Sequence, residues 1–434
     1  MKPFNVDLHI HSPHSISVSK NLNLDTMVET CKKKGLDIIG TGDILQPTWL
    51  KYMENNLQKE KDGIFLYKNV NFILQTEIED KENIHEVVLL PDFEAARELQ
   101  KKLKPFSKNL MNEWGGRPRV NLSPPELVDE VDAAGGLIGP AHAFTPFKAI
   151  FRQNKYSTLK ECYQDSLKKV SFLELGLSAD TYIADRMKCL KDISFLSNSD
   201  AHSEGPTSLG REFNRFEIEK PNFEEIVLAL KRQRGRKIIL NVGLDPRLGK
   251  YYNMFCNKCR RRIIFKTGKV KSYGFLSNYK IDVNFITYLV GDPKIARKNY
   301  QKEVDKGKVI CPACKNDFKK NYKMKLGVFE RIEMISDYEQ PKHPPHRPPY
   351  IDIIPLVEII RKVQNIKSSK SKTVLKIYND LIDKLGVEFS ILIDLPIKKI
   401  SEVNNEIAIV IDSFRKGNIE VLTGGGGVFG EIKI

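Results

Sequence analysis

Through the first half of the chain, short apolar runs alternate with amphipathic stretches. Segments 6–10 (VDLHI), 37–42 (DIIGTG), 72–76 (FILQT), 86–90 (EVVLL), 137–141 (LIGPA), 171–175 (SFLEL) and 194–198 (SFLSN) have the length and continuity of buried strands. Between them lie stretches with helical spacing, such as 25–34 (DTMVETCKKK) and 124–134 (PPELVDEVDAA). The second of these starts well, with Ser123 at the N-cap and Pro124 at the first helical position. Seven strands alternating with helices over about 200 residues predict an α/β fold, a closed parallel barrel rather than an open sheet. In such a barrel the functional site forms at the carboxyl ends of the strands.

The pattern breaks near Gly243–Gly249. Residues 250–335 are polar and basic, and they contain two Cys-x-x-Cys pairs. Segment 341–349 (PKHPPHRPP) is too proline-rich for a helix or a central strand and reads as a linker. Helical periodicity resumes over 353–364, 372–386 and about 401–416, before a glycine run at 424–427. The organisation expected is therefore a barrel over 1–244, a cysteine-bearing module over 245–340 with an insertion between its pairs, and a small helical domain over 350–434.

Charge sharpens this division. Residues 1–244 carry 34 Lys+Arg against 34 Asp+Glu, whereas residues 245–434 carry 36 against 21, so the whole excess of +15 lies in the second half. A neutral body joined to a basic module points to a polyanionic partner, the bland alternative being a lysine-rich surface. No apolar run is long enough for a membrane span, and the chain does not open on a basic-then-apolar signal. A soluble, cytoplasmic protein is expected.

Six of the eight histidines fall in the barrel half: His9, His11, His14, His85, His142 and His202. His9/His11 and Asp200/His202 are spaced two apart, so on a strand each pair faces one point. With Glu77 after FILQT and Asp43 after IIGTG, they make an imidazole and carboxylate set large enough for two or three divalent ions. A single strand histidine is usually structural, but six at successive strand ends are not. Cys256, Cys259, Cys311 and Cys314 have the ligand pattern of a structural zinc, although the pairs are 51 residues apart. Cys31, Cys162 and Cys189 sit in apolar contexts and read as plain thiols. Arg260–Arg262 and the aromatics Tyr251, Tyr252, Phe255, Phe265, Tyr273, Phe275 and Tyr279 suit phosphates and stacked bases, or alternatively the core of a zinc ribbon. Arg186 and Arg211 are candidates for a clamp on a transition-state phosphate, or for surface ion pairs.

DLHIHS, GTGD, QTE, IHEVVLL, PAHAF and SNSDAH, in this order, resemble the motifs of the polymerase-and-histidinol-phosphatase (PHP) superfamily, over residues 1 to about 240. That resemblance implies a distorted seven-stranded barrel hydrolysing phosphoesters at a trinuclear metal site. It assigns His9, His11, Glu77 and Asp200 to one ion, and Glu77 as a bridge to a second held by His85 and His142. His14 and His202, with Asp43, would serve a third; the sequence has Ile44 where many members have a histidine. The four-Cys module, HRPPYIDIIPL and the terminal GGGGVFGEI are similar to the archaeal endonuclease Q branch. The branch implies incision 5′ to deaminated bases (hypoxanthine, xanthine, uracil) or at abasic sites. It also implies two or three Zn, Mn or Mg ions plus a structural Zn, duplex DNA as partner, and a sliding clamp as a further one. Glu174 and Ser178, in ELGLSAD, would then line a pocket for an extruded base, Glu174 having the alternative of standing behind a metal ligand. The competing readings are a phosphomonoesterase of small molecules, which has no use for a basic zinc appendage, and a non-catalytic DNA-binding protein, against which the intact ligand set argues.

Overall fold

The computed structural model describes residues 1–60, 63–269, 275–318 and 326–433, with Phe275 by its backbone alone. Tyr273 and the Phe275 ring, two of the aromatics singled out above, lie outside the described residues.

All seven apolar runs contribute strands. Lys2–Asp7, Ile38–Gly40 and Val70–Glu79 run parallel, with Val6 opposite Ile38 and Ile38 opposite Asn71. The next strand departs from the parallel barrel expected. His85–Leu90 folds back antiparallel on Val70–Glu79, and Leu137–Pro140 is antiparallel to it in turn. The connection between Glu79 and His85 is a tight loop in which Asp80 accepts from the Ile84 amide, far too short for the dozen or more residues a parallel crossover needs. Phe172–Glu174 and Ser194–Leu196 pair parallel to each other. From there a single backbone bridge, Ile10 to Ala201, and side chains close the ring among the described residues instead of a strand ladder. Asn214 bonds Ser197 through both its amide atoms, and Asn241 donates to the Phe195 carbonyl. The result is a distorted α/β barrel. Strands Phe213–Ile218 and Lys237–Gly243 extend it past Lys2–Asp7, and Tyr350–Asp352 is added parallel to Lys237–Gly243.

Period-two alternation sorts the strand residues into two cores. Val87 and Leu89 join Phe4, Val6, Leu8 and Phe172 inside the barrel, whereas Val88 and Leu90 pack outward under the helices. The helix Pro124–Ala133 begins as its sequence predicts, Glu126 accepting from the Ser123 amide in a capping box.

The outer core continues into the C-terminal helices Leu356–Val363, Lys372–Leu385, Ile397–Val403 and Asn405–Arg415, which pack on the barrel instead of standing apart. Phe389 stacks on Phe213 with ring centroids 3.7 Å apart. Segment 341–349 is irregular as expected, but it is a strap and not a loose linker. Arg347 and His343 both engage the buried Asp185, and the Arg347 guanidinium lies over Phe195. The cysteine module has its own core, in which Ile263, Phe265, Ile286, Tyr288 and Tyr300 surround Cys256 and Cys311. The described residues of the long insertion between the cysteine pairs form strands Arg262–Thr267, Tyr279–Ile281 and Phe285–Val290 and helix Pro293–Asp305. Among the described residues no helix is long and apolar enough to cross a membrane.

Candidate metal centre

The carboxyl ends of the barrel strands and the amino end of the reversed strand His85–Leu90 converge on one buried cluster. Glu77, two positions before the end of Val70–Glu79, sits at its centre. Its Oε1 lies 2.9 Å from His85 Nδ1, 3.1 Å from His142 Nε2 and 3.6 Å from His9 Nε2. Its Oε2 lies 3.6 Å from His11 Nε2. Asp200 Oδ1 is 3.1 Å from His11 Nε2 and 3.8 Å from His9 Nε2. Three overlapping groups have the spacing to hold a divalent ion: His9/His11/Glu77, His11/Asp200/His202 and Glu77/His85/His142.

The fit to metal is borne by an orphaned atom. His9 Nε2 is buried with no hydrogen-bond partner, 3.6 Å from Glu77 Oε1 and 3.8 Å from Asp200 Oδ1. A buried polar atom without a partner costs free energy, which a coordinated cation removes. The electrostatics agree. Burial opposes the charged form of His9, but the carboxylates of Glu174, Asp200 and Glu77 outweigh it and lift the imidazole to about 10. Burial likewise works against the anions of Glu77 and Asp200, yet the surrounding imidazoles, with Arg117 at Glu77, hold both well below the usual carboxylate range. The cluster is an acidic hole lined with imidazole, suited to cations.

The backbone around it is strained. Asp43, His142 and Asp200, each just past a strand end, adopt left-handed φ of 41°, 30° and 48°. Such conformations persist in non-glycine residues where the surroundings over-determine them, as functional sites do. Gly176 is required beside them, since a Cβ there would lie 2.6 Å from that of His142.

Several sequence expectations need correction. Asp43 is not in any ligand group. It lies behind His11, with Oδ1 3.0 Å from His11 Nδ1, while Oδ2 accepts from the Ser12 amide and hydroxyl. Glu174 occupies the matching place behind His9, 2.7 Å from Nδ1 and fully buried, the position of the second of the two readings open for it. His14 turns away from the cluster to the Glu113 carbonyl. Arg186 is a structural tie that bonds Glu333, Ser336 and the Tyr338 carbonyl. Arg262 is buried against Phe285 and the Gly425 carbonyl, and Arg261 is bound to the Asp282 carbonyl; of that triplet Arg260 is the exposed one.

Arg211 and Ser178 do line the cleft over the cluster, which has a volume of about 750 Å³. Arg211 is tethered by the carbonyls of Ser199 and Asp200. Two residues the sequence reading passed over complete the picture. Arg117 Nε lies 2.9 Å from Glu77 Oε2, without hydrogen-bond geometry, and lines the same cleft. Glu79 takes His85 Nε2 at 3.3 Å and Lys148 at 2.8 Å. Glu79 was findable, because it shares the strand face of Glu77 two positions on. Arg117 was marked only by the turn signal GGRP.

In the second half, Sγ of Cys256 lies 3.7 Å from that of Cys314, and Cys259 is 3.8 Å from Cys311. A tetrahedron with bonds of roughly 2.3 Å has edges of about 3.8 Å, so the four sulfurs stand where a zinc site would hold them. Of the remaining thiols Cys31 and Cys162 are buried and Cys189 is exposed.

Fold and site together define a distorted α/β barrel with a buried cluster of imidazoles and carboxylates fit for metal, joined to a four-Cys module. Comparison with known proteins makes this specific. Over its whole length the chain is 38% identical to the lesion-specific endonuclease Q of Pyrococcus furiosus, covering 96% of that chain with a TM-score of 0.83. An endonuclease Q in complex with a 27-mer duplex that has an abasic lesion at the active site matches at 38% identity, covering 100% of this chain and 97% of that one, with a TM-score of 0.84. The uncharacterized protein YqxK of Bacillus subtilis is 30% identical over 453 residues, covering both chains fully. MJ0043 of Methanocaldococcus jannaschii is 38% identical over 298 residues; these are 67% of this chain but 31% of that protein, so the chain spans under a third of that relative's length. Residues 355–418 match the family model of the MJ0043 C-terminal domain. The chain belongs to the endonuclease Q family.

Proposed function

We propose that this protein is a metal-dependent DNA repair endonuclease that cuts the phosphodiester on the 5′ side of deaminated bases (hypoxanthine, xanthine, uracil) and of abasic sites. The observation that carries this is the full-length likeness to an endonuclease Q crystallised on a duplex with an abasic lesion.

The work divides among a catalytic barrel over 1–244, a basic zinc module over 245–340 and a helical region over 350–434. His9, His11, Glu77, His85, His142, Asp200 and His202 would hold two or three ions, of zinc, manganese or magnesium, and the four cysteines one structural zinc. Metal ions so held supply a hydroxide near neutral pH and neutralise charge building on the phosphate. The chain's own groups do the rest. Glu174 and Asp43 fix the His9 and His11 rings. Arg211 and Arg117, at the rim of the cluster, are placed to hold the non-bridging oxygens. Ser178 offers a hydroxyl within the cleft. The basic surface that includes Arg260 grips the flanking duplex. A missing or mispaired base costs less to extrude than a paired one, so extrusion itself favours lesions. No feature of the described residues supports the sliding-clamp partner.

End-labelled duplexes carrying deoxyinosine, deoxyxanthosine, deoxyuridine or an abasic site test the reading. The expected result is a nick 5′ to each lesion, intact undamaged DNA, and loss of nicking but not of binding in His9→Ala. Rapid hydrolysis of small phosphomonoesters with every duplex left whole would overturn it.

A further inference from the structure

Beside the candidate metal cluster the barrel has a second groove of about 1170 Å³, lined by barrel residues that include His85, Arg117 and His202. Its wall is the loop 104–121. That loop exposes Trp114 (48%) and Phe106 (44%) on the groove, which Ile16 (65%) also lines. Single exposed apolar residues need no explanation, but a set of them around one groove that opens on the cluster does. Lys108, Arg117 and Arg119 line the same groove. Of the acids there, Glu79 is already engaged by His85 and Lys148, and burial pushes Asp80 up to about 7.

The loop is held firmly. Gln46 donates to the carbonyls of Asn112 and Glu113, His14 takes the Glu113 carbonyl, and the Gly116 amide donates to His14 O. Asn109 accepts from the Arg119 amide and donates to the Arg117 carbonyl, while Leu110 is fully buried beneath. At Gly116 a Cβ would lie 2.7 Å from Asp43 Oδ2, so the loop is pressed against the residues that orient His11. His14 thus acts on the site by positioning this loop. An indole presented by so constrained a backbone loses little entropy on binding.

We propose that the 104–121 loop is a DNA contact of the barrel itself. Trp114 stacks on a base that has lost its pairing partner beside the scissile phosphate, and Lys108 and Arg119 hold the adjoining backbone. Aromatic rings flanked by cations are the general device for unpaired strands. The inference rests on the reading that DNA is the substrate, but it places contact on the half of the chain whose net charge is zero.

The chain has two tryptophans, and Trp49 is buried with its indole N–H on the Thr41 carbonyl, so Trp114 is a clean reporter. The full-length protein is titrated with a single-stranded oligothymidylate, following tryptophan emission together with the anisotropy of the labelled strand. Saturable quenching is expected in the wild type and none in Trp114→Phe. Trp114→Ala should bind the strand about 5- to 100-fold more weakly, the stacking energy of one base, and Trp114→Phe should retain most of the affinity. Trp114→Ala should also raise KM for an abasic-site duplex with kcat little changed. Binding without quenching, wild-type affinity in Trp114→Ala, or no binding by the wild type overturns the inference. If Trp114 responds as expected but no lesion is ever cut, the stacking contact stands and the endonuclease reading falls.

Discussion

Behind His9 and His11 stand two carboxylates, Glu174 and Asp43, each at a ring nitrogen facing away from the cluster. From sequence they could not be told from ligands or substrate contacts, because an orienting carboxylate is the same residue type, also at a strand end. The distinction is one of direction, and that depends on which ring atom of the histidine it meets. The pair His9/His11 was legible because the chain stays extended past Lys2–Asp7, with Ile10 in a parallel bridge to Ala201; Asp200/His202 converges instead through the left-handed turn at Asp200. Arg117 was not, since it meets Glu77 from a loop 40 positions further on and no periodicity marks it. The orienting role has a measurable consequence. Glu174→Gln keeps the volume and removes the charge at His9, so metal affinity in the barrel should fall about 10- to 100-fold, as loss of such partners generally does. Metal titration of the purified variant reads this directly. An unchanged metal affinity with a raised KM for DNA would instead return Glu174 to the substrate.

At the scale of elements, local chemistry decided more than overall pattern. The hairpin at Asp80–Ile84 reversed one barrel strand because the loop is short, which the sequence contained but strand counting overlooked. The last predicted helix is two, broken where Asn404 leaves helical geometry to cap the second, accepting from the Ile407 amide. How the tail helices meet the barrel was not legible at all, because the joint is made of contacts between residues far apart in the chain: the Phe213–Phe389 stack, the Arg215–Asp394 pair and a buried ion pair. Lys34 Nζ, at the end of helix Leu24–Lys34, lies 3.0 Å from Glu388 Oε1, and both side chains are fully buried. Glu388 also accepts from the Leu356 amide at 3.1 Å and the Tyr378 hydroxyl at 2.9 Å, so one carboxylate gathers three elements. Lys34→Met strands a buried anion and should cost about 3–5 kcal/mol in urea unfolding. Adding Glu388→Gln removes that anion, so the double variant should be less destabilised than the two singles combined. Strict additivity would mean the pair is not coupled and the helices dock through their other contacts.

For the whole molecule, the asymmetry of charge is the feature the sequence displayed most openly: zero over residues 1–244 and +15 beyond. Each phosphate neutralised releases counterions, so affinity for duplex DNA should fall with salt at a slope of about 0.9 per contact in logarithmic terms. Removing the second half is a poor test, because the C-terminal helices share the barrel's outer core and their loss would uncover Phe213 and Lys34. Substitution in the intact chain avoids this. Lys258, Arg260 and Lys266 are exposed on the cysteine module, and Lys101 and Lys160 are exposed on the barrel away from its clefts. Changing the first three to Gln should reduce the salt slope by roughly 0.9 for each residue that meets a phosphate, and leave the four cysteines and the barrel ligands untouched. Changing Lys101 and Lys160 should leave the slope where it was. Anisotropy titrations across a range of salt concentrations separate the two sets. If both lowered the slope equally per charge removed, attraction would be a property of the total charge, and the cysteine module would lose its place as the site of grip.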